Sequence, residues 1–178
     1  VDYTLDWNGN KTDYSHDVAG KLVEVTTAAG TPSALGLANT WSGDDLVRTT
    51  YTNSSGAAYA SVTYTYVASG LAARKLAGET WADLRLGGTR QSTYSYTYHP
   101  NGVLASITVA QSLPAGATNT TTTSYDAAGN LASIVNGLGH SRRWTNYNGL
   151  GLPGRHIDAN GVATDFVYDA KGNLVSET

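Results

Sequence analysis

The chain has no cysteine, no methionine, one phenylalanine and only four prolines in 178 residues. Without cysteine, a disulfide scaffold, zinc–thiolate ligation and a cysteine nucleophile are excluded together. Charge is scarce as well: 14% of residues are charged and the formal net charge is −3. No electrostatic footprint for nucleic acid or an anionic membrane surface follows from that balance. There is no apolar run long enough for a membrane-spanning helix, and no basic-then-apolar signal segment at the start. Val1 begins in mid-pattern and Thr178 ends half a strand after a turn, so the chain reads as a piece of something longer. A missing signal therefore says little about compartment.

Helical periodicity is missing too. The nearest candidate, Leu71 to Leu86, contains Gly78 and lacks an apolar stripe over its length, so it reads as a hairpin. What the chain does have is threonine (24), tyrosine (12) and valine, which favour pleated surfaces. It is also rich in glycine, with 20 residues. The length allows one sizeable core, and a motif spread along the chain predicts a single domain over 1–178.

That motif is a polar residue followed three positions later by glycine. It occurs at Asp6–Gly9, Asp17–Gly20, Asn53–Gly56, His99–Gly102, Asp126–Gly129, Asn136–Gly139, Asn148–Gly151, Asp158–Gly161 and Asp169–Gly172. Eight of these begin with Asp or Asn, against roughly 2.6 by chance from composition. Asp or Asn suits the first position of a type I turn, because its side-chain oxygen accepts from backbone N–H groups further on. Glycine in fourth place takes the left-handed conformation that closes a three-residue hairpin loop with a bulge. Adding irregular turns near Gly30, Gly43, Gly70, Gly88 and Gly116 predicts about fifteen strands in an antiparallel β-meander, more than a flat open sheet usually tolerates before curling. The predicted fold is all-β, a strongly twisted, spiralling sheet.

Strand faces are legible in places. Val103, Ala105, Ile107 and Val109 alternate with Leu104, Ser106, Thr108 and Ala110, the signature of a half-buried strand. Val62, Tyr64 and Tyr66 alternate with Thr63 and Thr65, as Tyr94, Tyr96 and Tyr98 do with Ser95 and Thr97. Cross-strand tyrosine pairs of this kind contribute roughly 0.2–1 kcal/mol each. The Thr-rich run Thr118 to Thr123, after Pro114-Ala115-Gly116, predicts a projecting loop feeding a strand.

The last fifty residues set the period. Tyr125, Tyr147 and Tyr168 precede alternate turns, giving a two-strand unit of 22 and then 21 residues. Asp6 through Leu22 aligns without gaps on Asp158 through Leu174, with identities that include Asp6/Asp158, Gly9/Gly161, Asp13/Asp165, Asp17/Asp169, Gly20/Gly172 and Leu22/Leu174. The segment Tyr125-Asp126-Ala127-Ala128-Gly129-Asn130-Leu131 recurs as Tyr168-Asp169-Ala170-Lys171-Gly172-Asn173-Leu174. This segment resembles the YD repeat of Rhs proteins, with Tyr98, Gly102, Tyr147, Gly151, Asp158 and Gly161 as further repeat-motif positions. The resemblance covers 1–23 and 94–178 well and about 31–93 poorly, where the turns lengthen. Any function particular to this chain is expected in that irregular stretch.

The resemblance implies a large secreted or cell-surface polypeptide whose repeats wind into a hollow β-shell. Bacterial polymorphic toxins, Tc-complex shells and teneurins are of this kind, and the shell can enclose a toxic C-terminal domain. Neighbouring repeats and that enclosed domain are the implied partners. The family's self-cleavage depends on an Asp-Pro motif, and none of Pro32, Pro100, Pro114 and Pro153 follows Asp. The expectation is a non-enzymatic structural module with no catalytic residue, no metal and no cofactor.

Other chemistry finds little support in the residues. His16 and His99 stand where matched repeats carry Tyr168 and Asp126 or Asp169, and His140 and His156 lack ligand-spaced partners. Asp6-Trp7-Asn8-Gly9-Asn10 looks like an EF-hand start, but Lys11 occupies the required glycine position. Asp44 and Asp45 are adjacent and would point apart on a strand. Trp7, Trp41, Trp81 and Trp144, with the tyrosines, offer a second reading as an adhesion or glycan-recognition module. Trp7, inside a turn, is the ring expected to be exposed. Unpaired outer strands predict edge-to-edge self-association.

Overall fold

The computed structural model describes residues 2–113 and 116–178. Fifteen strands follow one another: β1 (Asp2–Leu5), β2 (Lys11–His16), β3 (Leu22–Thr27), β4 (Leu35–Ser42), β5 (Asp45–Thr52), β6 (Ala58–Tyr66), β7 (Leu76–Asp83), β8 (Thr89–Tyr98), β9 (Leu104–Ser112), β10 (Thr118–Tyr125), β11 (Leu131–Asn136), β12 (Ser141–Thr145), β13 (Arg155–Ile157), β14 (Ala163–Tyr168) and β15 (Leu174–Glu177). They lie in one open sheet in sequence order, an antiparallel meander, as the turn count predicts. The described residues contain no α-helix. The stretch Leu71–Leu86 is one strand, β7, with turns on either side rather than a self-contained hairpin. Pro114 and Ala115 of the expected projecting loop lie outside the described residues, and Thr118–Thr123 belongs to β10.

The chain divides into two compact units, one of residues 1–69 and 73–92, the other of 70–72 and 93–178. In the first unit the cross-strand register assigns side chains to the two faces of the sheet. Thr49 faces Val62, which faces Trp81, while Tyr64 faces Glu79. On the alternate positions Thr50, Ser61 and Ala82 form one row and Arg48, Thr63 and Thr80 another. Gly36 sits opposite Thr52, and a Cβ added there would collide with the Thr52 hydroxyl oxygen. In the second unit Ile107, Thr123 and Ile134 share one row. Thr108, Thr122 and Val135 share the next, where the two threonine hydroxyls lie 3.0 Å apart.

No large side chain among the described residues is fully buried, and the buried apolar residues are Ala60 and Val62. Among the described residues the side chains are therefore mostly part-exposed and pack chiefly against cross-strand neighbours. Backbone ladders carry the order instead.

Candidate functional site

The recurring turn is the most developed local structure. In all nine motifs the glycine has positive φ, between 75° and 91°. Its N–H donates to the carbonyl of the first motif residue at 2.9–3.1 Å, and that residue's own N–H donates to the carbonyl four positions on at 2.8–3.1 Å. An L-residue with a Cβ rarely adopts this conformation, which explains glycine at the fourth position. Register shifts at Ser15/His16, Tyr51/Thr52, Ser124/Tyr125 and Val167/Tyr168 place a bulge immediately before the Asp or Asn.

The side chain of the first residue completes the turn. In the eight Asp- or Asn-led motifs Oδ1 accepts from the backbone N–H groups two and four residues on. At Asp126 both bonds are 2.9 Å. Where the motif continues Gly-Asn, the second carboxylate oxygen is used as well. The amide of Asn10, Asn130 or Asn173 donates to Oδ2 of Asp6, Asp126 or Asp169 at 2.8, 3.0 and 2.8 Å. Those amide bonds are the leading cause holding the three carboxyls below the usual aspartate range. Asp158 is lowered first by the Val162 N–H, there being no asparagine at that position. At the ninth turn His99 replaces the carboxylate, and Asn101 Oδ1 accepts from Val103 N–H at 3.1 Å.

Because each strand reverses direction, alternate turns fall at the same end of the strands. In the second unit these turns are tied laterally. His99 Nε2 lies 2.9 Å from Tyr125 O, and Asn101 Nδ2 donates to Ala127 O at 2.8 Å. The Tyr147 hydroxyl donates to Leu131 O at 2.6 Å, one hairpin back. The first unit ties its alternate turns with charge. Lys21 Nζ is 3.0 Å from Asp44 and also donates to Gly43 O, and Arg74 reaches Asp44 at 3.9 Å and Asp45 at 2.9 Å. The Lys21 hydrogen bond leads the lowering of the Asp44 carboxyl. Asp44 and Asp45 are thus both drawn to Arg74, a grouping that sequence reasoning missed because the three residues share no period.

The remaining residues separate by role. His16 is 3.9 Å from Asp2, His140 Nδ1 is 3.3 Å from Asn136 Nδ2, and His156 stacks on Trp144 with ring centroids 4.9 Å apart. No group of three metal-ligating side chains occurs among the described residues. Trp7 is 92% exposed. In the irregular stretch, strands β5 to β8 form a cleft of about 180 Å³, with Tyr51 and Trp81 rings 5.5 Å apart at its side. Sequence periodicity could not find it, since its residues come together only through the register of four strands.

No family model and no curated protein matches the chain. Among solved structures it is similar to TcdB2-TccC3-TEV, at 15% identity over 99% of this chain and 11% of that one, with a TM-score of 0.49. It is similar to the Photorhabdus luminescens Tc holotoxin pore at 16% identity over 99% and 11%, with a TM-score of 0.46. A porin-like protein from Bacteroides uniformis matches at 18% identity over 94% and 80%, with a TM-score of 0.44. The chain spans about a tenth of the length of the Tc structures.

Proposed function

We propose that this chain is a non-enzymatic structural module of the Rhs type, 1–178 acting as one run of YD repeats within a large secreted or cell-surface polypeptide. Its strands would continue a β-shell that encloses a toxic C-terminal domain. The observation that carries this reading is the repeated turn, in which Asp oxygens are committed to backbone N–H groups and the Tyr-led turns share one end of the strands. Such carboxylates serve the chain's own backbone rather than a substrate. Limited proteolysis of the parent polypeptide tests the reading: its C-terminal domain should resist cleavage while the repeats are folded and become cleavable once they are unfolded. Equal cleavage in both states would overturn it.

A second reading, adhesion through glycan recognition, is favoured by one observation, the exposed Trp7 ring. Glycan-array binding that Trp7→Ala abolishes would support it, and an array without signal would count against it.

A further inference from the structure

The cleft in the irregular stretch joins features that the turn machinery does not use. Tyr51, Tyr64 and Trp81 supply three rings, Glu79 and Arg90 supply opposite charges, and Ser92 is buried at 4% exposure. Glu79 stands directly across from Tyr64, and Trp81 is across from the buried Val62. Trp81 remains 45% exposed, so a ligand can reach its face. Neither Glu79 nor Arg90 has an ion-pair or side-chain hydrogen-bond partner among the described residues, although both line the same cleft.

Ring faces attract cations, and an adjacent carboxylate strengthens that attraction. A guanidinium presents a fork of donors suited to phosphate. A simple cation would leave Arg90 without an opposite charge, a simple anion would leave Glu79 without one, and a neutral sugar, which can hydrogen-bond to both, would neutralise neither. At about 180 Å³ the cleft is smaller than the roughly 300 Å³ at which pockets for drug-sized ligands begin. It therefore suits a headgroup-sized molecule and not an oligosaccharide.

We propose that this cleft binds a zwitterionic headgroup of the phosphocholine type, with the quaternary ammonium against Trp81, Tyr51 and Tyr64 beside Glu79, and the phosphate on Arg90. The headgroup is either free or part of a phosphatidylcholine surface, and the chemistry in the cleft is the same.

The test is titration of the full chain with phosphocholine, followed by calorimetry and tryptophan fluorescence, with choline chloride and inorganic phosphate as half-ligands. Phosphocholine should bind more tightly than either half. Glu79→Gln and Arg90→Gln should each weaken it roughly tenfold, the scale of one lost charged contact, while Trp7→Ala leaves it unchanged. Trp81→Phe provides a milder ring change should Trp81→Ala fail to fold. Binding to phosphatidylcholine vesicles as well as to the free molecule identifies a lipid source; binding to the free molecule alone identifies a soluble one. No binding of phosphocholine, unchanged binding in both charge variants, binding to vesicles alone, or equal binding of a neutral monosaccharide would each overturn the proposal.

Discussion

At the residue scale, the Asp-x-x-Gly-Asn sequence is a closed set of hydrogen bonds. One carboxylate oxygen serves two backbone N–H groups, the other serves the asparagine amide, and the glycine supplies the backbone angle. Each part can be removed separately. Gly129 has φ +91°, so Gly129→Ala should cost about 1–2 kcal/mol in left-handed strain. For a chain of this size that lowers the melting temperature by about 2–8 °C, measurable by circular dichroism. Acid should weaken the same turns. The carboxyls of Asp6, Asp126, Asp158 and Asp169 are lowered in the folded chain. Their contribution is present above the ordinary aspartate value of about 3.9 and is lost as pH falls through the lower folded values. Unfolding midpoints in urea should therefore drop below about pH 4. Asp126→Asn should flatten part of that drop; an unchanged profile would contradict the assignment.

At the scale of elements, the two-strand period has a physical cause. Hairpins alternate ends, so only every second turn can touch its like, and Tyr147 spans that interval to Leu131 O. Tyr147→Phe should cost about 1 kcal/mol, the net value of one hydrogen bond, read as a lower denaturant midpoint with an unchanged slope. The fifteen strands were legible because Asp, Asn and Gly act locally, through bonds two to four residues away. The links between turns were not. Arg74 and Asp45 are 29 residues apart, and nothing periodic joins them. Trp81 and Tyr51 meet because β6 lies between their strands, with Ala60 opposite Tyr51 and Val62 opposite Trp81. That register depends on the regular Asn53–Gly56 turn between β5 and β6 and on the irregular turn between β6 and β7, whose length composition does not encode. The cleft beside Trp81 thus lies in the stretch where the repeat is least regular.

At the scale of the whole molecule, the 178-residue chain taken as a separate polypeptide has β1 and β15 as its outer strands. All four residues of β1 are exposed, as are those of β15, including Tyr3, Leu5, Leu174 and Val175. An exposed strand edge offers a row of unpaired N–H and C=O groups to another chain, and apolar side chains beside it strengthen the pairing. Ladder hydrogen bonds rather than a buried core order this sheet, so adding a strand at an edge extends the same interaction that holds it together. This chain should accordingly associate with itself, its mass rising with concentration in light scattering. Lysine at these positions opposes edge pairing by charge and solvation. Leu5→Lys together with Val175→Lys should shift the distribution toward monomer while leaving the strand signal in circular dichroism unchanged. A strict monomer at every concentration would refute edge pairing, and so would association that these two lysines leave unaltered.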